Sequence, residues 1–574
     1  MNQLMMFWYG RELSGPHAGQ VPEYLLAGDQ SYCSSSVFGN TRKYHGLLVH
    51  KGTVYLSSLD EQVNGVRISG QQYEGTQDDS KPGNCFSFSL YPPSWVFFLG
   101  EVIVKKTITF TGGLTITYDV TGEADLRIRP LIANRSVNQV VRNPELECEH
   151  DGNSVRWCDT VLEGDMPFTP DPVTYWNVWY ARESERGYEP VEDLVSPGYF
   201  SRHVSNGSVS LLCFKKGQVI MPEKNRLEPH SFQEWLDRAA ETFIHQDEIY
   251  AGYHWFTESW GRDSAISVTG LLIDRGKKKA AQGVLRCLSG HMVAGVIPNR
   301  FPDNYHSSDA SLWFIHALGR YHNRWGDDSF IRSMVPVISE ILDHYPASPV
   351  ATLDHGLISV APRSTWMDTP FTPREGKPVE INALWINALQ WADSLGIPTP
   401  DRAGPALLEF KKFWNEESRC LYDRIDPVDP SVRPNQVIAL ALGLFDRDQA
   451  SAALATISKK LLTPYGLRTL SPDDTRYQGH FNGDGSYHNG CVWPWLTGWY
   501  TDALIRNGIS RSKIAPLLAP VLTHIREAGA GYISEIFDGD FPYSPGGCIA
   551  QAWSVAEISR ACRMVFSPQK TEGA

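Results

Sequence analysis

Two hydrophobic periods divide the chain. Up to about residue 235, apolar positions fall on every second residue, as in Val102–Phe110 (VIVKKTITF) and Leu114–Val120 (LTITYDV). Successive side chains of a strand point to opposite faces, so this alternation predicts half-buried β-strands. Thr111, Gly112 and Gly113 separate the two runs and predict a hairpin, because glycine accepts the positive φ of tight turns. Leu126–Ile132 and Val209–Phe214 extend the set, and many short strands divided by turn signals predict an antiparallel sandwich.

After about residue 232 the period lengthens to that of a helix. Ala281, Val284, Leu285 and Leu288 share one helical face, and so do Leu312, Ile315, Ala317, Leu318 and Tyr321. Met334, Ile338, Ile341, Leu342 and Tyr345 make a third face, and Leu407, Phe410 and Trp414 a fourth. Between them run loops rich in Gly, Pro and aromatics, at 295–310, 361–380, 466–496 and 529–549. Loops of that length in a compact domain usually carry function. The expected organisation is a β-rich domain over 1–235, a helical domain over 236–566 and a tail over 567–574.

Composition narrows the function. Among 574 residues, 42% are hydrophobic and 20% charged, which is ordinary globular usage. The net charge of −13 repels phosphate backbones and anionic lipid, so neither nucleic acid nor a membrane is an expected partner. A neutral ligand is indifferent to that charge. Eighteen Trp, 24 Tyr and 24 Phe supply flat faces that suit sugars. The ten cysteines stand singly, with no CxxC pair, which predicts a reducing, cytoplasmic setting and no zinc site. The opening residues lack a basic signal region, and the longest apolar run, Val437–Phe445, is too short to span a membrane.

Five loop segments combine aromatics with carboxylates, Arg or His. In Trp255–Asp263 (WFTESWGRD), Asp263 reads either as a helix N-cap or, beside Trp260 and Arg262, as part of a polar pocket with stacking walls. Asp309, entering the helix at Ala310, carries the same two readings. Asp368 follows Trp366 and Met367, apolar bulk of the kind that raises a carboxyl pKa. His488 and Trp493 lie in the turn Tyr487–Trp495, where His488 reads as a packing histidine or a ligand contact. Gly531–Asp540 holds Glu535, Asp538 and Asp540, readable as a solvated loop or a calcium site, although the alternating spacing of a calcium loop is missing. There is no GxSxG, HExxH, Walker or GxGxxG motif. Carboxylates among stacking aromatics suit glycoside hydrolysis, which needs one acid and one base or nucleophile and no cofactor or metal.

The ordered set Trp260–Asp263, Ser308–Trp313, Thr365–Asp368, Pro378–Glu380, Thr469–Asp474, Ser534–Phe537 and Gln551–Ser554 resembles the amylo-α-1,6-glucosidase part of glycogen debranching enzymes. Phe38–Leu48 resembles the N-terminal signature of the bacterial and archaeal form, and the likeness spans nearly the whole chain. Two departures are Lys43, where the family has a second Arg, and Asn489–Cys491, where it has Gln-Gly-Thr. The resemblance implies a multidomain, mainly α protein with an antiparallel β-sandwich-like domain before an (α/α)6 barrel. It implies inverting hydrolysis of the glucose left on an α-1,6 branch stub of glycogen or limit dextrin, with Asp368 as general acid and Glu535 as general base. Trp260, Arg262, Asp263, Asp309, Trp366, Glu380, His488 and Trp493 are expected to hold the sugar.

A sequence argument agrees with that assignment: Arg262, next to Asp263, should keep Asp263 ionised, whereas Trp366 and Met367 shield Asp368 without adding charge. Because residues 1–235 are β-rich, the glucanotransferase domain of the eukaryotic enzymes is not expected here. The competing readings are another inverting α-glucosidase of the same barrel, glucoamylase-like or trehalase-like, and a non-catalytic glucan-binding protein.

Overall fold

The computed structural model describes residues 6–13, 22–28, 30–75, 84–217 and 229–567. The tail expected over 567–574 lies outside them except for Ser567. Two compact units result: one takes the described residues up to Ser231 together with Ile525–Gly531, the other Phe232–His524 and the described residues from Tyr532 onward.

The first unit is antiparallel β structure. Five strands explain its shape: β1 (Glu23–Gly28), β2 (Thr53–Val63), β3 (Val102–Phe110), β4 (Leu114–Ser136) and β5 (Val191–Lys215). The β3–β4 hairpin turns where the glycines predict, with Leu114 opposite Phe110. The sandwich expectation needs correcting, because the strands belong to one continuous 15-stranded sheet. The first half of β4 pairs with β3 and its second half with β2, and β5 runs beside both halves. The β4–β5 register slips between Val120 and Glu123, the kind of irregularity that bends a strand. The sheet therefore curls over itself. Tyr24 of β1 packs on Phe88 and Trp95 from the other arm, with ring centroids 6.3 and 5.5 Å apart. For the same reason Leu126–Ile132 is the far half of β4 and not a strand of its own.

The described residues of the second unit form twelve helices of seven residues or more: α1 (Phe232–Thr242), α2 (Gly261–Val268), α3 (Lys278–Gly290), α4 (Ala310–Trp325), α5 (Asp328–His344) and α6 (Val379–Ser394). They continue as α7 (Pro400–Phe410), α8 (Gln436–Leu442), α9 (Arg447–Leu461), α10 (Leu496–Arg506), α11 (Arg511–Thr523) and α12 (Ala552–Phe566). The even-numbered helices touch in succession, and α12 returns to α2, so six inner helices close a ring of the (α/α)6 type. Burial separates the two sets. Inner α6 is buried at every position from Val379 to Ile386, whereas outer α3 buries only Ala281, Val284, Leu285 and Leu288. A helix covered on all sides shows no stripe, and one exposed on its back does.

With so large a sheet in the first unit, the protein mixes α and β and is not mainly α. Trp414 also departs from expectation. Helix α7 ends at Phe410, a 3₁₀ turn covers Lys411–Phe413, and Trp414 then extends to pair with Leu421. No described helix is long and apolar enough to cross a membrane.

Candidate active site

A cavity of about 150 Å³ opens at the end of the ring where the inner helices begin. Its walls include Trp260, Arg262, Asp263, Trp366, Asp368, His488, Trp493 and Glu535. Eight of the ten residues picked out by sequence thus meet at one hollow. Each comes from a helix start or from the loop before one. Asp263 is the third residue of α2, not its N-cap, a position Trp260 takes.

Arg262 organises one wall. It is buried, and its Nε donates to both oxygens of Asp309 at 2.8 and 2.7 Å. Its Nη1 reaches Asp368 Oδ2 at 3.3 Å and its Nη2 the Ser364 carbonyl at 3.3 Å. This geometry reverses the electrostatic expectation, since the ion pairs of Arg262 run to Asp309 and Asp368, not to its chain neighbour. Successive helix residues point ~100° apart, so Arg262 turns one way and Asp263 another. Asp263 accepts a hydrogen bond from Gln551 Nε2 at 3.3 Å. Burial, then Glu535, Asp309 and Asp368, push its pKa up to about 7 against the pull of Arg262. Burial thus favours the protonated form of Asp263 and outweighs the pull of Arg262. Asp368 is the more open of the two, its side chain 38% exposed toward the cavity. Its pKa is also raised, by burial first and Asp309 second, with Arg262 opposing.

Glu535 is held on both oxygens. The Tyr487 hydroxyl donates to Oε1 at 2.5 Å, and the Cys548 backbone N–H donates to Oε2 at 2.9 Å. Gly547, at φ 66°, leaves room for this carboxylate: a Cβ there would lie 2.2 Å from Oε2. The other acids of the run have separate partners. Asp538 accepts from the Phe481 N–H at 2.8 Å, and Asp540 from the Tyr477 hydroxyl at 2.8 Å. Among the described residues of the helical unit, no three Asp, Glu, His or Cys side chains converge closely enough to hold a metal ion.

Aromatic rings build the rest. Trp366 meets His488 and Trp493 edge-on, centroids 5.4 Å away in both cases, and His488 stacks on Trp493 at 5.4 Å. His488 Nδ1 is 3.3 Å from the Thr372 hydroxyl, while Nε2 is buried with no hydrogen-bond partner. Burial and the cations Arg433, Arg262 and Arg374 hold its pKa well below the usual histidine value. It is a neutral imidazole whose Nε2 is left for a ligand to bond.

Asp309 and Glu380 do not line the cavity. Asp309 sits at the N-cap of α4, but its side chain makes no capping bond and serves Arg262 instead. Glu380 is buried at the start of α6 and accepts from Arg374, which also reaches Asp423 and Thr365. Through Thr365 this cluster braces the loop bearing Trp366 and Asp368. Sequence reasoning missed Tyr487, Gln551 and Trp553, which also line the cavity. All three stand inside segments already marked by their aromatic content or by the family likeness. Only the fold shows which way they face.

Among solved structures, a conserved protein from Thermus thermophilus aligns with 14% identity and a TM-score of 0.48, over 57% of this chain and 99% of that one. The GH63 mannosylglycerate hydrolase of the same organism, solved with Tris and D-glycerate, gives 14% and 0.46 over 58% of this chain and 100% of its own. The glycogen debranching enzyme of Saccharomyces cerevisiae is 24% identical in an alignment 372 positions long that covers 43% of this chain and 24% of the yeast protein. The chain thus spans about a quarter of that relative. The family described as glycogen debranching enzyme N terminal matches residues 24–210. The family described as Amylo-alpha-1,6-glucosidase matches residues 233–560, more than half of the chain and all of the cavity walls. The chain belongs to this amylo-alpha-1,6-glucosidase family.

Proposed function

We propose that the protein removes the single α-1,6-linked glucose at branch stubs of glycogen or limit dextrin, with inversion at the anomeric carbon. Asp368 is the general acid and Glu535 the general base. The observation that carries this reading is their shared cavity and opposite surroundings. Asp368 opens toward the hollow in a setting that favours its proton, and Glu535 is fixed as an acceptor by two hydrogen bonds.

In this mechanism Asp368 gives its proton to the O6 leaving oxygen of the branch. Glu535 takes a proton from a water that attacks the opposite face of the ring. Arg262 fixes where the Asp368 carboxyl points. Trp260, Trp366 and Trp493 enclose the sugar, while Asp263 and His488 hydrogen-bond its hydroxyls. Acid and base catalysis each supply ~10²–10⁴-fold, and orientation between the Trp walls supplies the rest. The yeast relative's name supports an α-glucan substrate, and ten free thiols fit a cytoplasmic enzyme.

The test is NMR of the anomer first released from limit dextrin, with maltose and trehalose in parallel. Wild type is expected to release β-glucose, fastest from limit dextrin, and Asp368→Asn and Glu535→Gln to lose at least about 10²-fold in kcat. Initial α-glucose, or full activity in either variant, overturns the mechanism. Faster turnover of maltose or trehalose overturns the debranching assignment and favours a glucoamylase-like or trehalase-like enzyme.

A further inference from the structure

The helical ring holds a second cavity, larger than the first at about 340 Å³. It lies between the C-terminal halves of five inner helices: Ile266 comes from α2, Arg320 from α4, Leu442 from α8, Arg506 from α10 and Arg560 from α12. The first cavity is lined from the starts of these helices, so the two hollows occupy opposite ends of the ring. Tryptophans packed edge to face divide them. Trp495 touches Trp366 at 5.3 Å on one side and Trp313 at 6.1 Å on the other, and Trp313 meets Trp499 at 5.2 Å.

The lining has the chemistry of a ligand site. Trp313 and Trp499 close the cavity's inner end, both almost fully buried, with the Arg560 guanidinium over the Trp499 ring at 5.5 Å. His316, its pKa pushed down to about 4 by burial and by Arg320 and Arg560, is neutral; its Nδ1 is hydrogen-bonded to Asn387 at 3.2 Å. Glu557 and Asp502 are both taken up by Arg560. The remaining cations are less committed. Arg320 comes no nearer than 3.7 Å to Asp274, and the exposed Arg506 side chain makes no hydrogen bond or ion pair with another described residue. Three arginines face two carboxylates. Helix C-termini carry partial negative charge that repels anions, so the spare guanidinium groups are what lets an anion enter. The volume falls within the ~300–1,000 Å³ of small-molecule sites.

We propose that this cavity binds a phosphorylated monosaccharide. The sugar fills the hollow between the buried Trp313–Trp499 end and the rim, a hydroxyl bonds His316, and the phosphate is held at the rim by Arg506 and Arg320. The site is independent of hydrolysis at the other end of the ring.

Calorimetric titration of the full chain with glucose 6-phosphate, glucose and inorganic phosphate tests this. Saturable binding of glucose 6-phosphate is expected, at least tenfold tighter than either fragment. Arg506→Ala and Arg320→Gln should each weaken it tenfold or more, with circular dichroism confirming the fold. Asp368→Asn and saturating 1-deoxynojirimycin should leave it unchanged. Any of four results overturns the proposal: no binding, glucose binding as tightly as its phosphate, no effect of either arginine substitution, or displacement by 1-deoxynojirimycin.

Discussion

At the scale of single residues the site is governed by where one guanidinium points. Arg262 spends itself on Asp309 and Asp368, and Asp263 is left to burial and its acidic neighbours. A carboxyl whose folded pKa lies above its unfolded value binds more protons in the native state. Its unfavourable contribution to stability grows as pH rises from the unfolded pKa through the folded one. For Asp263 that window runs from the ordinary 3.8 to about 7. Three pH units at ~1.4 kcal/mol each put the full effect on the order of 4 kcal/mol. Asp263→Asn keeps the shape and removes the titration. Denaturant unfolding at pH 5 and pH 8 should therefore show the variant gaining stability relative to wild type at the higher pH. An equal difference at both pH values would mean that Asp263 titrates normally.

At the scale of elements the loop around Glu535 is the most finely adjusted part of the site. Gly547 adopts a left-handed φ of 66°, and any Cβ there would press on the Glu535 carboxylate. Gly547→Ala should cost about 1–2 kcal/mol for the backbone conformation and a further ~10²-fold in kcat from moving the base. Gly546→Ala is the control, since its Cβ would meet only Ile536 side-chain atoms, 3.4 Å away and at ordinary contact distance. Thermal unfolding and kcat measured together separate the effects, and normal turnover in Gly547→Ala would show that Glu535 need not be held where it is. The same scale explains what the sequence could reveal. The β3–β4 hairpin was legible because its alternation and its glycines are local. The continuation of β4 to Ser136 was not, because the bend depends on strands far away in sequence. Outer helices such as α3 announced themselves by a stripe, whereas buried α6 could not. The aromatic and acidic loops were visible as composition. That Tyr487 and Cys548 would clasp Glu535, or that Arg262 would turn from Asp263, depends on the ring that brings helix starts together.

At the scale of the whole helical unit, the ring sorts charge by its ends. Each inner helix begins near the first cavity: Arg262 in α2, Asp309 before α4, Glu380 in α6, Asn435 bonded to Trp366 before α8, Trp495 before α10 and Gln551 before α12. A helix start carries roughly half a positive charge, so these starts favour the ionised base Glu535, while Arg262, the cation in the wall, is taken up by Asp309 and Asp368. The far ends are negative, and three arginines stand there instead. A neutral glucan approaching the first cavity therefore feels little net field, although the chain carries −13 overall. Salt acts through surface charges, screening them beyond ~10 Å at 0.1 M, and the buried Arg262–Asp309 pair lies largely beyond its reach. We expect kcat/KM on limit dextrin to change by less than about twofold between ~50 and ~500 mM NaCl. Over the same range, binding of a phosphorylated sugar at the arginine end should weaken severalfold. A steep fall of hydrolysis with salt would mean that the reacting substrate is charged, and a neutral branch stub could not be it.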